Sequence, residues 1–204
     1  MSKVKICGLT RMEDIDAANA ARPDYVGFVF AQSRRQIDYD KAVQLKAALN
    51  SEIKAVGVFV NEKIEEIASL VKSNVIDMIQ LHGYEDEAYL QRLRTLTSAP
   101  VIKAVRVQSG EQISYFSRMP CDYLLLDTYV RGERGGSGKI FDWNIIPHLS
   151  KPYFLAGGLD SQNVLNAVKT LHPYCVDVSS GVETDGVKDQ DKMIEFAKLV
   201  RSVR

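Results

Sequence analysis

Short β-branched runs alternate with amphipathic stretches from one end of this chain to the other, and no other feature constrains its fold as tightly. The runs are Val4–Cys7, Tyr25–Phe30, Lys54–Val60, Met78–His82, Val101–Val107, Tyr123–Asp127, Tyr153–Ala156 and Val176–Ser179. Eight of them in 204 residues leave about 25 residues per unit, close to a βαβ repeat with its loops trimmed. Runs such as GFVF and YLLLD are continuously apolar, which suits parallel strands covered by helices. The pattern predicts an α/β protein, a (β/α)8 TIM barrel forming a single domain over residues 1–204. A doubly wound open sheet is the alternative.

The segments between the runs carry helix signals. Thr10 and Glu13 form a T-x-x-E capping box ahead of Ile15 and Ala18, and Ser109 with Gln112 repeats the idea. Asp38 precedes Ala42, Leu45 and Leu49 on one helical face, and Asn61 opens Ile64, Ile67, Leu70 and Val71. The sixth unit departs from the rest. Its loop, Thr128–Ile140, is long, and the helix expected near Asp142–Leu149 is broken by Pro147.

Charge argues against several partners. Twenty-six basic residues balance 26 acidic ones with no long single-sign run, so neither nucleic acid nor an anionic membrane surface is expected. No apolar stretch approaches the ~20 residues that span a bilayer, and MSKVKICG leads directly into a charged helix with no room for a signal sequence. Cys7, Cys121 and Cys175 are far apart and lack CxxC spacing. Neither a disulfide framework nor a metal site is therefore expected, and a reducing cytoplasm is the default compartment.

In such a barrel the chemistry sits at the C-terminal ends of the strands. Cys7 closes the first strand, Gly8 lets the chain turn away, and a helix start follows at Thr10. The positive end of that helix should lower the thiol pKa from its usual ~8.5 and suit Cys7 to general-base work. Packing in the core is the structural alternative for such a cysteine. Asp127 closes YLLLD on the same parity as Leu125, so it should point into the barrel and face Cys7 across the mouth. A carboxylic acid in a partly dry pocket can keep and donate a proton.

Gly157, Gly158, Ser179, Ser180 and Gly181 follow the last two strands, where barrels bind phosphate with backbone N–H groups. Arg34 and Arg35 follow the second strand and offer a guanidinium fork for a carboxylate. His82 follows MIQL as a polar rim residue or ligand contact. Gly135–Lys139 does not satisfy the P-loop pattern, since Glu133 stands at the first glycine position and Ile140 follows the lysine. It reads as a flexible loop beside Asp127. Lys5 and Asp177 share an inward parity on strands that become neighbours when the barrel closes, which predicts an ion pair beneath the pocket.

Seven segments in order, KICGLT (Lys5–Thr10), GFVF (Gly27–Phe30), QLHG (Gln80–Gly83), LLLD (Leu124–Asp127), GGSGKIFDW (Gly135–Trp143), LAGGL (Leu155–Leu159) and DVSSGVE (Asp177–Glu183), make the chain resemble the phosphoribosylanthranilate isomerases of tryptophan biosynthesis. The resemblance covers essentially the whole length. It implies an Amadori rearrangement of N-(5′-phosphoribosyl)anthranilate, with the general base at Cys7, the general acid at Asp127, and no cofactor or metal. It further implies phosphate at Gly157, Gly158, Ser180 and Gly181, and the anthranilate carboxylate at an arginine aligned with Arg35. The family commonly has Ser-Pro-Arg where this chain has Ser33-Arg34-Arg35, so Arg34 could share that role. Ser137 replaces the usual threonine. Another sugar-phosphate isomerase or synthase, or a phosphate-binding barrel without catalysis, are the alternatives, and oligomeric state is left open.

Overall fold

Strand parity sorts this chain into two apolar layers, and a closed barrel satisfies both. In the computed structural model, which describes residues 1–128 and 141–203, the parallel strands are β1 (Lys3–Cys7), β2 (Tyr25–Val29), β3 (Lys54–Phe59), β4 (Met78–Leu81), β5 (Val101–Val107), β6 (Tyr123–Thr128), β7 (Tyr153–Leu155) and β8 (Cys175–Val178). They pair in chain order, and β1 returns to β8 to close the barrel. Every expected strand is present, with ends within one residue of the sequence reading. The open-sheet alternative fails because β1 and β8 pair directly, with Lys5 opposite Asp177.

One parity fills the barrel. Val56, Met78, Ile102, Leu125, Phe154 and Cys175 pack together inside it. The opposite parity, including Ile6, Val26, Phe28, Ile79, Leu124 and Leu126, meets the helices. These six are fully buried, and each contributes about 1.5–3 kcal/mol by leaving water. At the end of the barrel away from the site, Tyr25, Tyr123, Phe154 and Tyr174 stack with centroids 4.9–5.6 Å apart. The Lys3 ammonium lies over two of those rings.

The outer helices are α1 (Met12–Ala21), α2 (Tyr39–Ala48), α3 (Ile64–Lys72), α4 (Glu87–Leu96), α5 (Gly110–Ser117), α6 (Val164–Leu171) and α7 (Gln190–Ser202). Asp38 caps α2 and Ser109 caps α5 through side-chain acceptors, as expected. Two other starts differ. α1 begins one residue later than a Thr10 cap requires, and the stabilising carboxylate is Asp14 rather than Glu13. Asp14 accepts from the Thr10 and Arg11 amides at 2.8 and 3.0 Å and from the Arg11 guanidinium. Asn61 does not open α3, whose first flanking residue is Lys63. Asn61 sits instead in the left-handed region (φ 52°), and its side-chain oxygen accepts from the Tyr84 amide.

In the sixth unit the expected helix is reduced, among the described residues, to one 3-10 turn at Trp143–Ile145. Pro147 lacks the N–H that would extend it. The Gly135–Lys139 loop and Ser137 lie outside the described residues. After β8 a 3-10 turn (Ser180–Val182) leads into a two-stranded antiparallel ribbon, β9 (Glu183–Thr184) and β10 (Val187–Lys188), which the run pattern did not anticipate.

Candidate active site

The strand tops surround one open cavity of about 380 Å³. Cys7, Arg35, His82, Asp127, Gly157, Gly158 and Ser180 all contribute to its wall. Candidates read from six separate stretches of sequence therefore converge.

Cys7 ends β1 beside Gly27 of β2, its partner in the ladder. A β-carbon on Gly27 would stand 2.6 Å from the Cys7 sulfur, so the missing side chain makes the space the thiol occupies. Gly8 then turns the chain with φ +84°. The Cys7 thiol is pushed up, opposite to the expected lowering. Although Cys7 keeps some contact with solvent, its surroundings are mostly protein. Desolvation raises the thiol, and the ammonium groups of Lys5 and Lys188 only partly offset it. The helix dipole does not rescue the expectation, because the Asp14 carboxylate already occupies the start of α1.

Below Cys7 the Lys5–Asp177 ion pair is present, with Lys5 Nζ 3.0 and 3.1 Å from the two carboxylate oxygens. Lys5 has no solvent contact. Burial pulls its pKa down, but Asp177 and Cys7 more than reverse that and hold it above the usual lysine range.

Asp127 lies on the inward parity of β6 and is buried. Its Oδ1 accepts from the Thr128 amide at 2.8 Å, and its Oδ2 lies 3.3 Å from His82 Nε2. That approach is an ion-pair distance without hydrogen-bond alignment. His82 Nδ1 is 2.9 Å from the Gln80 side-chain nitrogen, so Gln80 donates there and the ring keeps its proton on Nε2, toward Asp127.

Next around the barrel from Asp127, in the loop after β7, Gly157 and Gly158 take φ +87° and +66°. A β-carbon on Gly157 would fall 2.2 Å from Thr128 Oγ1. Ser180 lines the cavity beside them. Gly181, the next residue, packs against the Leu159 carbonyl so closely that a β-carbon would lie 2.0 Å from that oxygen. Arg35 and Arg34 both reach the cavity rim, and both are paired with Glu183. The Arg35 side chain is 17% exposed and that of Arg34 57%, so Arg35 is the better shielded of the two.

Gln80, Arg106 and Asp177 also face the cavity, and none was read from the sequence as part of the site wall. Arg106 carried a usable signal. It sits two residues beyond the inward Ala104 and lies opposite Asp127 in the β5–β6 ladder.

A parallel barrel that gathers a thiol, a carboxyl, an imidazole and a shielded arginine around glycine-rich loops belongs to the barrel enzymes of acid–base chemistry. Residues 4–199 match the family model described as N-(5′-phosphoribosyl)anthranilate (PRA) isomerase. The N-(5′-phosphoribosyl)anthranilate isomerase of Endomicrobium trichonymphae is 52% identical over the full length of both chains. The crystal structure of phosphoribosyl anthranilate isomerase from Thermotoga maritima superposes with a TM-score of 0.87 at 34% identity, each chain covered completely. A phosphoribosyl anthranilate isomerase in complex with reduced 1-(o-carboxyphenylamino)-1-deoxyribulose 5-phosphate gives 0.83 at 32% identity, again with full coverage of both. The chain belongs to the N-(5′-phosphoribosyl)anthranilate isomerase family and is an isomerase of tryptophan biosynthesis.

Proposed function

We propose that Asp127 and Cys7 divide the Amadori rearrangement of N-(5′-phosphoribosyl)anthranilate between them as general acid and general base. Asp127 protonates the furanose ring oxygen, and the ring opens to a protonated Schiff base. Cys7 removes the proton from C2′, and the electron pair flows into the iminium to give the enolamine. Tautomerisation then yields 1-(2-carboxyphenylamino)-1-deoxyribulose 5-phosphate. The iminium itself accepts the electrons, so the reaction draws on no cofactor or metal.

The observation that carries this reading is the opening of Cys7 and Asp127 into one cavity, with the glycine loop after β7 beside them. Cys7 acts as the thiolate, its own proton passing to solvent before the one on C2′ is taken. The Schiff base brings a positive charge beside the sulfur, and an opposite charge nearby favours thiolate. Once Asp127 has given up its proton, the Nε2–H of His82 faces the new carboxylate. The substrate phosphate lies at the loops of Gly157, Gly158, Ser180 and Gly181, whose backbone N–H groups suit an anion. Arg35 receives the anthranilate carboxylate, its lower exposure favouring it over Arg34.

On this reading residues 1–204 form one barrel domain working on a small phosphorylated molecule in the cytoplasm, with neither nucleic acid nor membrane as a partner. Among the described residues no helix is long and apolar enough to cross a membrane.

The test is turnover of freshly made N-(5′-phosphoribosyl)anthranilate, with the two isomers separated by chromatography, for wild type, Cys7→Ser and Asp127→Asn. Each variant should keep its fold and lose at least ~10²-fold in kcat, the low end for general acid–base catalysis. Near-normal turnover in either removes that residue from the mechanism.

A further inference from the structure

The ribbon after β8 does more than join the strand to α7. Glu183 and Lys188 lie opposite each other in its two strands, and the chain reverses between them through Asp185 (φ 51°) and Gly186 (φ 80°). The Glu183 carboxylate gathers three cations. It accepts from Arg34 Nη2 at 2.8 Å, from Arg35 Nε and Nη2 at 2.9 and 3.0 Å, and from Lys188 Nζ at 2.8 Å. The Glu183 and Lys188 side chains are 5% and 2% exposed. A buried pair so thoroughly hydrogen-bonded is held in one geometry, unlike a solvated surface contact.

Arg35 is fixed from both ends. A β-carbon on Gly8 would come within 2.3 Å of Arg35 Cδ, so the arginine stem lies over a position that only glycine leaves open. Glu183 takes the Nε and Nη2 side of the guanidinium fork. That leaves both N–H groups of Nη1 and the second of Nη2 as donors for a ligand at the rim. Among the described residues these three cations share the one Glu183 carboxylate, and the positive excess of the cluster favours an anionic ligand there.

Lys188 links this cluster to the base. Besides Glu183 it donates to the Ser179 carbonyl at 2.9 Å, and its nitrogen is 3.4 Å from Ser179 Oγ. Ser179 Oγ in turn donates to the Cys7 carbonyl at 3.0 Å. A continuous chain of polar contacts therefore runs from the arginine fork through Glu183, Lys188 and Ser179 to the backbone that carries the thiol.

We infer that Glu183, anchored by Lys188, is a positioning residue that presents Arg35 to the carboxylate of the substrate and holds that contact in register with Cys7. The inference rests on the reading that Arg35 receives the anthranilate carboxylate.

Its test compares two substrates, N-(5′-phosphoribosyl)anthranilate and N-(5′-phosphoribosyl)aniline, the same aminal without the carboxylate. Wild type, Arg35→Ala, Glu183→Gln and the double variant are assayed on both. A hydrogen bond to a charged group is worth about 1.5–3 kcal/mol, which corresponds to roughly tenfold to a hundredfold in affinity. Arg35→Ala and Glu183→Gln should each raise KM for the carboxylate-bearing substrate by about tenfold more than for the aniline analogue. The double variant should be no worse than Arg35→Ala alone, since Glu183 acts through the arginine. If Arg35→Ala discriminates between the substrates and Glu183→Gln penalises both equally, Glu183 is only structural and the inference is overturned while the Arg35 reading stands. If Arg35→Ala itself penalises both equally, the carboxylate reading falls and the inference with it. Should Glu183→Gln fail to fold, Glu183→Gln/Lys188→Met removes both members of the buried pair, and the same substrate comparison decides.

Discussion

Gly27 faces Cys7 across the β1–β2 ladder, and the thiol occupies the volume that any other residue at position 27 would claim. The nearest atoms to a β-carbon there are the Cys7 sulfur at 2.6 Å and the Cys7 Cα at 3.0 Å. One of the two is a side-chain atom that can swing away. The other is backbone and cannot yield cheaply.

Gly27→Ala should therefore fold but misplace the thiol proposed as the base. A misplacement near 1 Å costs on the order of 10²-fold in rate, and the loss should fall on kcat with KM little changed. Steady-state kinetics beside a circular dichroism spectrum makes the comparison. Wild-type kcat in a folded Gly27→Ala protein would show that the thiol position is not critical.

The raised thiol pKa of Cys7 has a definite sign. In the free protein Cys7 ionises at higher pH than an ordinary thiol, whose pKa is ~8.5. Alkylation of Cys7 by iodoacetamide, followed by peptide mass, should still be climbing above that pH rather than levelling off. Between the unfolded and folded pKa values the native state holds the extra proton, so this group's contribution to stability falls as pH rises. Cys7→Ser should flatten that part of the alkaline stability curve. A plateau in alkylation near neutrality would restore the idea of a thiol activated by α1.

Lys5→Met leaves the Asp177 carboxylate buried without its partner. Breaking a buried pair from one side costs about 3–5 kcal/mol, whereas removing both charges costs far less. Urea unfolding should show that loss for Lys5→Met and most of it recovered in Lys5→Met/Asp177→Asn. Equal stability of the single variant and wild type would mean the pair adds nothing to the fold.

The start of α1 separates two carboxylates one residue apart. Asp14 accepts from two amides and the Arg11 side chain, whereas Glu13 is exposed. Asp14→Ala should lose about 1–2 kcal/mol, the range for a lost cap, and Glu13→Ala should stay within about 0.5 kcal/mol, as for other surface changes. The reverse order in thermal unfolding would reinstate the Thr10–Glu13 box.

The relation of sequence to structure differs by kind of feature. The parity that put Asp127 with Leu125 also put Cys7 above Lys5, and both pairs point into the barrel as read. The Lys5–Asp177 contact, 172 residues apart in the chain, was legible for the same reason. Once β1 is known to meet β8, alternation leaves little choice about which residues touch. Arg106 was equally readable and was passed over, because an arginine within a strand does not announce chemistry as a strand-end carboxylate does.

The cap at Asp14 and the thiol's raised pKa were beyond that kind of reading. Thr10 and Glu13 match a capping pattern, yet the chain leaving Gly8 at φ +84° delivers Asp14 to the amides instead. Local pattern lost to the direction in which the loop enters the helix. The thiol pKa was set by desolvation and by two lysines from different parts of the chain, neither of which a single strand end reveals.

By itself, then, the sequence determined the eight-unit barrel, the end of the barrel that holds the cavity and the presence of Cys7 and Asp127 in its wall. Hydrophobic periodicity is local, and closure of the sheet converts it directly into position. Only the tertiary structure decided that Arg35 is held by Glu183, that Lys188 joins the pair to Ser179, and that the imidazole of His82 stands beside Asp127. Those relationships depend on side chains from separate loops meeting within about 3 Å, where hydrogen bonds form, and one-dimensional spacing holds no record of that convergence.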